Sequence, residues 1–244
     1  MSGWKRSARV TARSSRVDRD GRDVLHTIAT ILWKDLKIEL RSREALTASF
    51  IFCVLVLVIF NFTLELGTEE ARRLGAGFLW IAFAFGGVLS LNRSFALEKE
   101  EGCAKSLMLA PVDRGAIYAG KMLANSIFML ITQALVLPLF AVFFNVPVAS
   151  KVPMLALIFL LGSLGFSSVG TLFSAMAAST RMRELMLPLL LFPVSIPVLI
   201  GSVEATAWAL GAGGDVSFWF KLLVVYDVVF ITVSFLVFEY AMEE

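Results

Sequence analysis

Histidine and cysteine, the residues that most metal and haem sites need, are almost missing from this sequence. It has one histidine, His26, and two cysteines, Cys53 and Cys103, in 244 residues. A single histidine excludes, within one chain, any site that needs two of them. Walker A, G-x-S-x-G and H-E-x-x-H patterns are also absent, so we predict that the chain is not an enzyme and has no nucleotide-hydrolysis site of its own.

Charged residues are also few in this sequence. Only 17% of the residues are charged, whereas 58% are hydrophobic, and the mean hydropathy is +0.80. One soluble core cannot hide so much apolar surface, so we predict an integral membrane protein. Cys53 falls in an apolar run and Cys103 in a connection between two runs, so the cysteines lie at different depths and no structural disulfide is expected.

Six apolar runs are long enough to cross a membrane as helices. A hydrocarbon core of about 30 Å needs roughly 20 helical residues, and the ten-residue alternation of membrane strands is missing. The prediction is an all-α polytopic membrane protein with six transmembrane helices. The predicted spans are Ala45 to Leu66, Gly77 to Leu97, Met122 to Val146, Val152 to Ala178, Leu185 to Val203 and Phe218 to Phe238.

Lysine and arginine are distributed unevenly among the connections. If the amino terminus is inside, the cytoplasmic segments hold eighteen of the 22 positive residues, and eleven of these precede residue 45. Because positive residues are retained on the cytoplasmic side, we predict that both termini are cytoplasmic.

The chain before the first span divides into two parts. Residues 1–23 are a basic tail, which we predict to be disordered and attracted weakly to anionic lipid, with no nucleic-acid partner. Residues 24–244 form the transmembrane domain. Its first segment, 24–44, spaces apolar residues along one side of a helix, which predicts an interfacial helix on the inner leaflet with Trp33 at headgroup level. The alternative is an amphipathic helix packed on a partner.

The fifth span contains three prolines, Pro188, Pro193 and Pro197. Each removes a backbone donor, so the segment is expected to kink or break where it faces other helices. We predict that this segment crosses the membrane fully or partly. From Val203 onward, the chain is predicted to form an outer loop that dips back towards the membrane. A kinked packing helix is the alternative.

Two further spans carry informative polar residues. The fourth is rich in glycine and serine, which suits close helix contact, so we predict that it is buried. The last contains Asp227, which either lines a cavity or is paired with a nearby Ser, Thr or backbone group.

The connection between the second and third spans, 98–121, is too amphipathic for a loose linker. Glu101 and Lys105 form a favourable helical pair, and Leu107 to Leu109 offer a small apolar knob. Pro111 stops this helix and Asp113 is placed to cap the next. We predict a cytoplasmic coupling helix that docks into a groove of a cytosolic motor protein. A surface-lying helix without a partner is the alternative.

The run "LNRSFALEKEEGCAKSLMLAPVDRGAIYAGK" (91–121) resembles the CcmB family of cytochrome c maturation proteins. "LFPVSIPVLIG" (191–201) is similar to the proline-broken fifth helix of that family, and "LWKDLKIELRSRE" to its entry helix. The resemblance covers roughly residues 30–240. The residues that match the family in the first run are Phe95, Glu98, Glu101, Gly102, Leu107, Leu109, Pro111 and Lys121.

The resemblance implies an ABC-2-like permease of the bacterial inner membrane, present as two copies with two CcmA ATPase subunits. ATP then binds to the partner subunit, and the eight matching residues form the ATPase-coupling interface. CcmC, the small CcmD and the haem chaperone CcmE are the other implied partners. Haem is the expected transported or delivered substrate in cytochrome c biogenesis, with no cofactor bound by this chain alone.

Two other functions remain open from the sequence. An ABC-2 permease for a drug, lipid or polysaccharide would carry the same kind of connecting helix. A membrane scaffold that transports nothing would need no ATPase partner.

Overall fold

The computed structural model describes residues 24–63, 68–100, 114–178 and 182–241, and these residues form helices and short turns, without strands. We number the helices in chain order. The helices are α1 (24–42), α2 (Glu44–Thr63), α3 (Thr68–Glu100), α4 (Arg114–Phe143), α5 (Val152–Ala178), α6 (Arg183–Ala209) and α7 (Ser217–Ala241), with a 3-10 turn at Ala149–Lys151 before α5.

Six of these helices are long and apolar enough to cross a membrane, so the predicted six-span architecture is confirmed. The largest disagreements are at helix ends. The helix of the second span begins at Thr68 rather than Gly77, that of the third at Arg114 rather than Met122, and that of the fifth extends to Ala209 rather than Val203. Polar residues are helical at these ends because a helix continues into the headgroup region, whereas a hydropathy pattern stops where the apolar residues stop.

Helix α5 lies inside the bundle, as its glycine and serine content predicts. It packs against α3, α4, α6 and α7. A side chain at Gly162 would collide with the Trp80 ring, and one at Gly170 with Leu91. These glycines therefore let neighbouring helices approach closely, which is the usual basis of helix association in lipid.

Aromatic rings fill the contact between α3 and α5. Trp80, Phe83 and Phe159 meet edge to face, with ring centroids 5.5–5.9 Å apart. Trp80 is fully buried, and its indole N–H donates to Thr206 Oγ1 of α6 at 2.9 Å. A buried indole needs such a partner, because an unpaired donor in an apolar interior is costly.

Hydrogen bonds between polar side chains join α4 to α5. Asn125 Nδ2 donates to Thr171 Oγ1 at 3.0 Å, and Ser163 Oγ donates to Gln133 Oε1 at 3.1 Å. Tyr118 Oη donates to the Ser168 carbonyl at 3.0 Å. The polar residues of these spans thus hold helices together within the bundle.

Helix α6 is unbroken from Arg183 to Ala209, so a break at its prolines is excluded and the alternative of a packing helix is favoured. Pro193 and Pro197 lie on the exposed side of α6 rather than against other helices. The Val194 carbonyl accepts a hydrogen bond from Tyr226 Oη at 3.1 Å, which supplies a partner from α7 within the proline-rich stretch. Residues 203–209, expected in the outer loop, are helical, and the turn that follows is short, at 210–216.

The bundle has two ends of different character. We call "the basic end" the one formed by α1, the start of α2, the end of α3, the start of α4 and the end of α7. There Ile31 of α1, Tyr118 of α4 and Phe238 of α7 share one buried cluster. The opposite end holds the turns at 144–151 and 210–216, and Asn61 Nδ2 ties α2 to it by donating to the Phe143 carbonyl at 2.5 Å.

Candidate functional site

The predicted coupling residues divide between described and undescribed parts of the chain. Glu101, Gly102, Leu107, Leu109 and Pro111 lie outside the described residues. Phe95 and Glu98 fall in the last turns of α3, where the helix is described but the side chains are not, and Lys121 falls in the second turn of α4.

The helices on the two sides of this segment, α3 and α4, pack against each other. Helix α4 begins at Arg114, directly after the position predicted to cap it. Residues 101–113 therefore connect two helices that are in contact, and a force applied to this segment would act on both of them.

Lys121 has no exposed surface, although lysine is rarely buried without a partner. Its Nζ lies 3.4 Å from Oδ2 of Asp35 in α1, and the Asp35 side chain is only 12% exposed. Asp35 Oδ1 also lies 3.3 Å from Nζ of Lys34. Removing one partner of a buried pair typically costs about 3–5 kcal/mol, because the other charge stays buried. Lys121 therefore ties α4 to α1 rather than presenting its charge to the outside.

Gly120 lets α1 approach α4 closely. A Cβ at this position would lie 2.9 Å from Cβ of Ile31 and 3.3 Å from the carbonyl oxygen of Ile28. Ile31 is buried with Ile117 of α4 and Leu172 of α5. Helix α1 thus rests on α4 through an apolar contact directly beside the Lys121–Asp35 ion pair.

The junction of α1 and α2 is a sharp corner with its own hydrogen bonds. Arg43 has a φ of 56°, which L-residues adopt at a cost, and its N–H donates to the Glu39 carbonyl at 2.6 Å. The buried Glu39 side chain accepts the Leu46 N–H at 3.0 Å. A carboxylate on the first-turn N–H groups stabilises a helix start. Glu39 therefore fixes the direction in which α2 leaves α1.

A further ion pair joins Arg93, near the end of α3, to Glu44 at the start of α2. Glu44 is 64% exposed, so the pair contributes at most about 1 kcal/mol. It still places the start of α2 beside the last part of α3.

The other side of α1 is exposed and mixes apolar with basic side chains. Trp33 is 68% exposed and Leu40 53% exposed, and Lys37 and Arg41 are exposed between them. Such a face suits a membrane surface. The position of α1 in the headgroup region stays a prediction.

Asp35 and Glu39 were not predicted as site residues, because the spacing of the apolar residues alone does not reveal them. Both lie on the docked side of α1 together with Ile31, at successive intervals of four residues. The apolar Ile38 and Leu40 lie away from the bundle and are exposed. Acidic residues at i+4 and i+8 from a buried isoleucine were the available signal, because such positions share one helix face.

Asp227 lies at the contact of α5, α6 and α7, and the expectation that it is paired is wrong. It is 6% exposed, and neither carboxyl oxygen has a hydrogen-bond partner within the described chain. A Cβ on Gly165 would lie 2.5 Å from Oδ1, so this glycine makes the room that the carboxyl occupies.

Comparison with known proteins points to one family. The family model described as CcmB protein matches residues 26–244. "Heme exporter protein B" of Rhodobacter capsulatus is 31% identical over 174 residues, which is 71% of this chain and 79% of the relative. The protein of the same description from Paracoccus denitrificans is 32% identical over 187 residues, 76% and 84% of the two chains. That of Pseudomonas aeruginosa is 27% identical over 192 residues, 78% and 86%.

Proposed function

Because the chain belongs to the CcmB family, we propose that it is the membrane subunit of a haem-export ABC transporter and receives force from a separate ATPase subunit at its basic end. The relatives described as heme exporter protein B support the haem substrate. The arrangement of the basic end supports the coupling role, because residues 101–113 lead into α4, which is tied to α1, and follow α3, whose Arg93 pairs with Glu44 of α2.

The force is proposed to enter at residues 101–113 and to pass into α4. The Lys121–Asp35 ion pair and the Gly120–Ile31 contact join α4 to α1. The Glu39 cap then joins α1 to α2. Packed helices transmit a displacement when each contact is tight, so these three contacts form a continuous path from the coupling segment to α2. Lys121 is a positioning residue in this path.

The basic end is proposed to be cytoplasmic. It carries Lys34, Lys37, Arg41, Arg43, Arg93, Arg114 and Lys121, whereas Arg73, Lys151 and Lys221 belong to the opposite end. This asymmetry fits retention of positive residues on the cytoplasmic side. Both termini would then be in the cytoplasm, and the protein would lie in the bacterial inner membrane.

The partners follow as part of the same proposal. Two copies of the chain would work with two CcmA ATPase subunits, which bind and hydrolyse ATP. CcmC and CcmD would complete the membrane complex, and haem would be delivered to the chaperone CcmE. This chain would supply structure and coupling, because its single histidine offers no pair of haem ligands.

Cys103 gives a direct test, because it is the native cysteine inside the coupling segment. The other cysteine, Cys53, is fully buried between α2 and α3. A photoactivatable cross-linker attached to Cys103 in membranes that contain the whole complex should join this chain to the ATPase subunit, and nucleotide should change the yield.

Cys103→Ser is the matched control and should remove the product. Cross-links that form only to lipid, or only to proteins of the outer side, would contradict both the coupling role and the proposed orientation.

A further inference from the structure

Asp227 lies deep in the bundle, about ten residues from the start of α7, or about 15 Å along the helix axis. Its carboxyl group lies against the Gly165 backbone of α5, beside Val198 of α6. Gly165 is the feature that lets this carboxyl group fit between three helices. Any larger residue there would collide with it.

No basic group neutralises this carboxyl within the described residues. Helix α5 has no ionisable residue along its whole length. On α6, Glu204 is six residues, about 9 Å along the axis, from Val198. On α7, the neighbouring Tyr226 donates its hydroxyl to the Val194 carbonyl, and Lys221 is exposed.

Helix α4 also packs on α7, and its ionisable side chains are occupied elsewhere. Tyr118 Oη donates to the Ser168 carbonyl, and Lys121 lies beside Asp35 at the basic end. Both carboxyl oxygens of Asp227 thus remain without a hydrogen-bond donor.

An ionised carboxylate in this place is strongly disfavoured, because it would lose its hydration and gain no partner. Burial of the neutral, protonated carboxyl group costs much less free energy than burial of the carboxylate. Ionisable residues inside transmembrane segments are retained mainly where they serve a function, which makes the bound proton a functional feature rather than an accident of packing.

We propose that Asp227 is a proton-binding site at the contact of α5, α6 and α7, occupied when the helices are packed as in this structure. The proton leaves only when water reaches the carboxyl, which requires α7 to separate from Gly165 and Val198. Packing of α7 and occupancy of the site are therefore linked. The inference goes beyond the proposed function and does not depend on the identity of the transported substrate.

Infrared difference spectroscopy on the purified full chain in lipid tests this directly. The spectrum of the protein minus that of Asp227→Asn should contain, at neutral pH, the C=O stretching band of a protonated carboxylic acid. Raising the pH should replace this band by the two bands of a carboxylate.

The matched control is Asp215→Asn. Asp215 lies in the exposed 210–216 turn, where its Oδ1 accepts the Ser217 N–H at 2.8 Å. Its difference spectrum at neutral pH should contain carboxylate bands alone.

Should Asp227→Asn fail to fold, protein labelled with ¹³C-aspartate replaces it. The isotope shift then assigns the protonated-acid band to an aspartate in the unaltered chain. Carboxylate bands from Asp227 at neutral pH, or an isotope experiment without any protonated aspartate, would overturn the proposal. Either result would leave the cross-linking test of ATPase coupling unaffected.

Discussion

The Lys121–Asp35 ion pair is the residue contact on which the proposed path depends most. Asp35→Asn would leave the Lys121 ammonium buried without this carboxylate. We expect the free energy of unfolding to fall by about 3–5 kcal/mol, measured by denaturant titration in detergent. Replacing both partners, by Asp35→Leu with Lys121→Met, should recover most of this loss because apolar side chains fill similar volumes.

Lys34→Met is the matched control for this pair. Lys34 also contacts Asp35 but is 39% exposed, so its removal should cost less than about 1 kcal/mol. If Asp35→Asn were as mild as Lys34→Met, the buried pair would not hold α1 on α4.

Individual residues also show which properties of the site cannot be predicted from the sequence. Lys121 was identified from its place in a motif, and its type and spacing do not reveal that it is buried. Burial depends on α1 lying across it, which is a contact between residues 86 positions apart. Asp227 shows the same limit, because the space for its carboxyl is made by Gly165 on another helix.

At the scale of helices, the seating of α1 on α4 depends on the lack of a side chain at Gly120. Gly120→Ala would place a methyl group 2.9 Å from Cβ of Ile31. We expect α1 to be displaced, with faster proteolysis within residues 24–42 and weaker haem delivery. Ile31→Ala should partly restore both properties in the Gly120→Ala protein, because it removes the side-chain atoms beyond Cβ that crowd the contact.

Gly77→Ala is the matched glycine control. Gly77 also lies within a helix, but a Cβ there would meet no atom within 4 Å. Its replacement should leave proteolysis unchanged, with a gain in stability of up to about 1 kcal/mol from helix propensity. Equal behaviour of the two variants would argue against close docking of α1.

The number of membrane-spanning helices was predictable, because the length of an apolar run decides whether it can cross a membrane. All six spans follow from apolar runs of sufficient length. The continuity of α6 was not predictable, because the sequence does not show which side its prolines face, and Pro193 and Pro197 lie on the exposed side. How a proline-rich helix packs on its neighbours is decided by tertiary structure, and the local sequence does not specify it.

For the whole molecule, the central claim is that α1 and α4 move as one body when the ATPase acts at residues 101–113. The motif at 91–121 predicts that the force enters at residues 101–113. It did not indicate where the force goes next, because Asp35, Glu39 and Gly120 acquire their roles only when α1 folds back onto the bundle.

A reversible bond between these helices is the most direct test. Ile31→Cys with Ile117→Cys, in a Cys103→Ser background, places one cysteine on α1 and one on α4 within the same buried cluster and leaves Gly120 unchanged. ATP-driven haem delivery by the purified complex is then measured with the bond closed and again after reduction. The account predicts equal delivery in both states, because α1 and α4 do not need to separate. Delivery that stops when the bond closes and returns on reduction would contradict it.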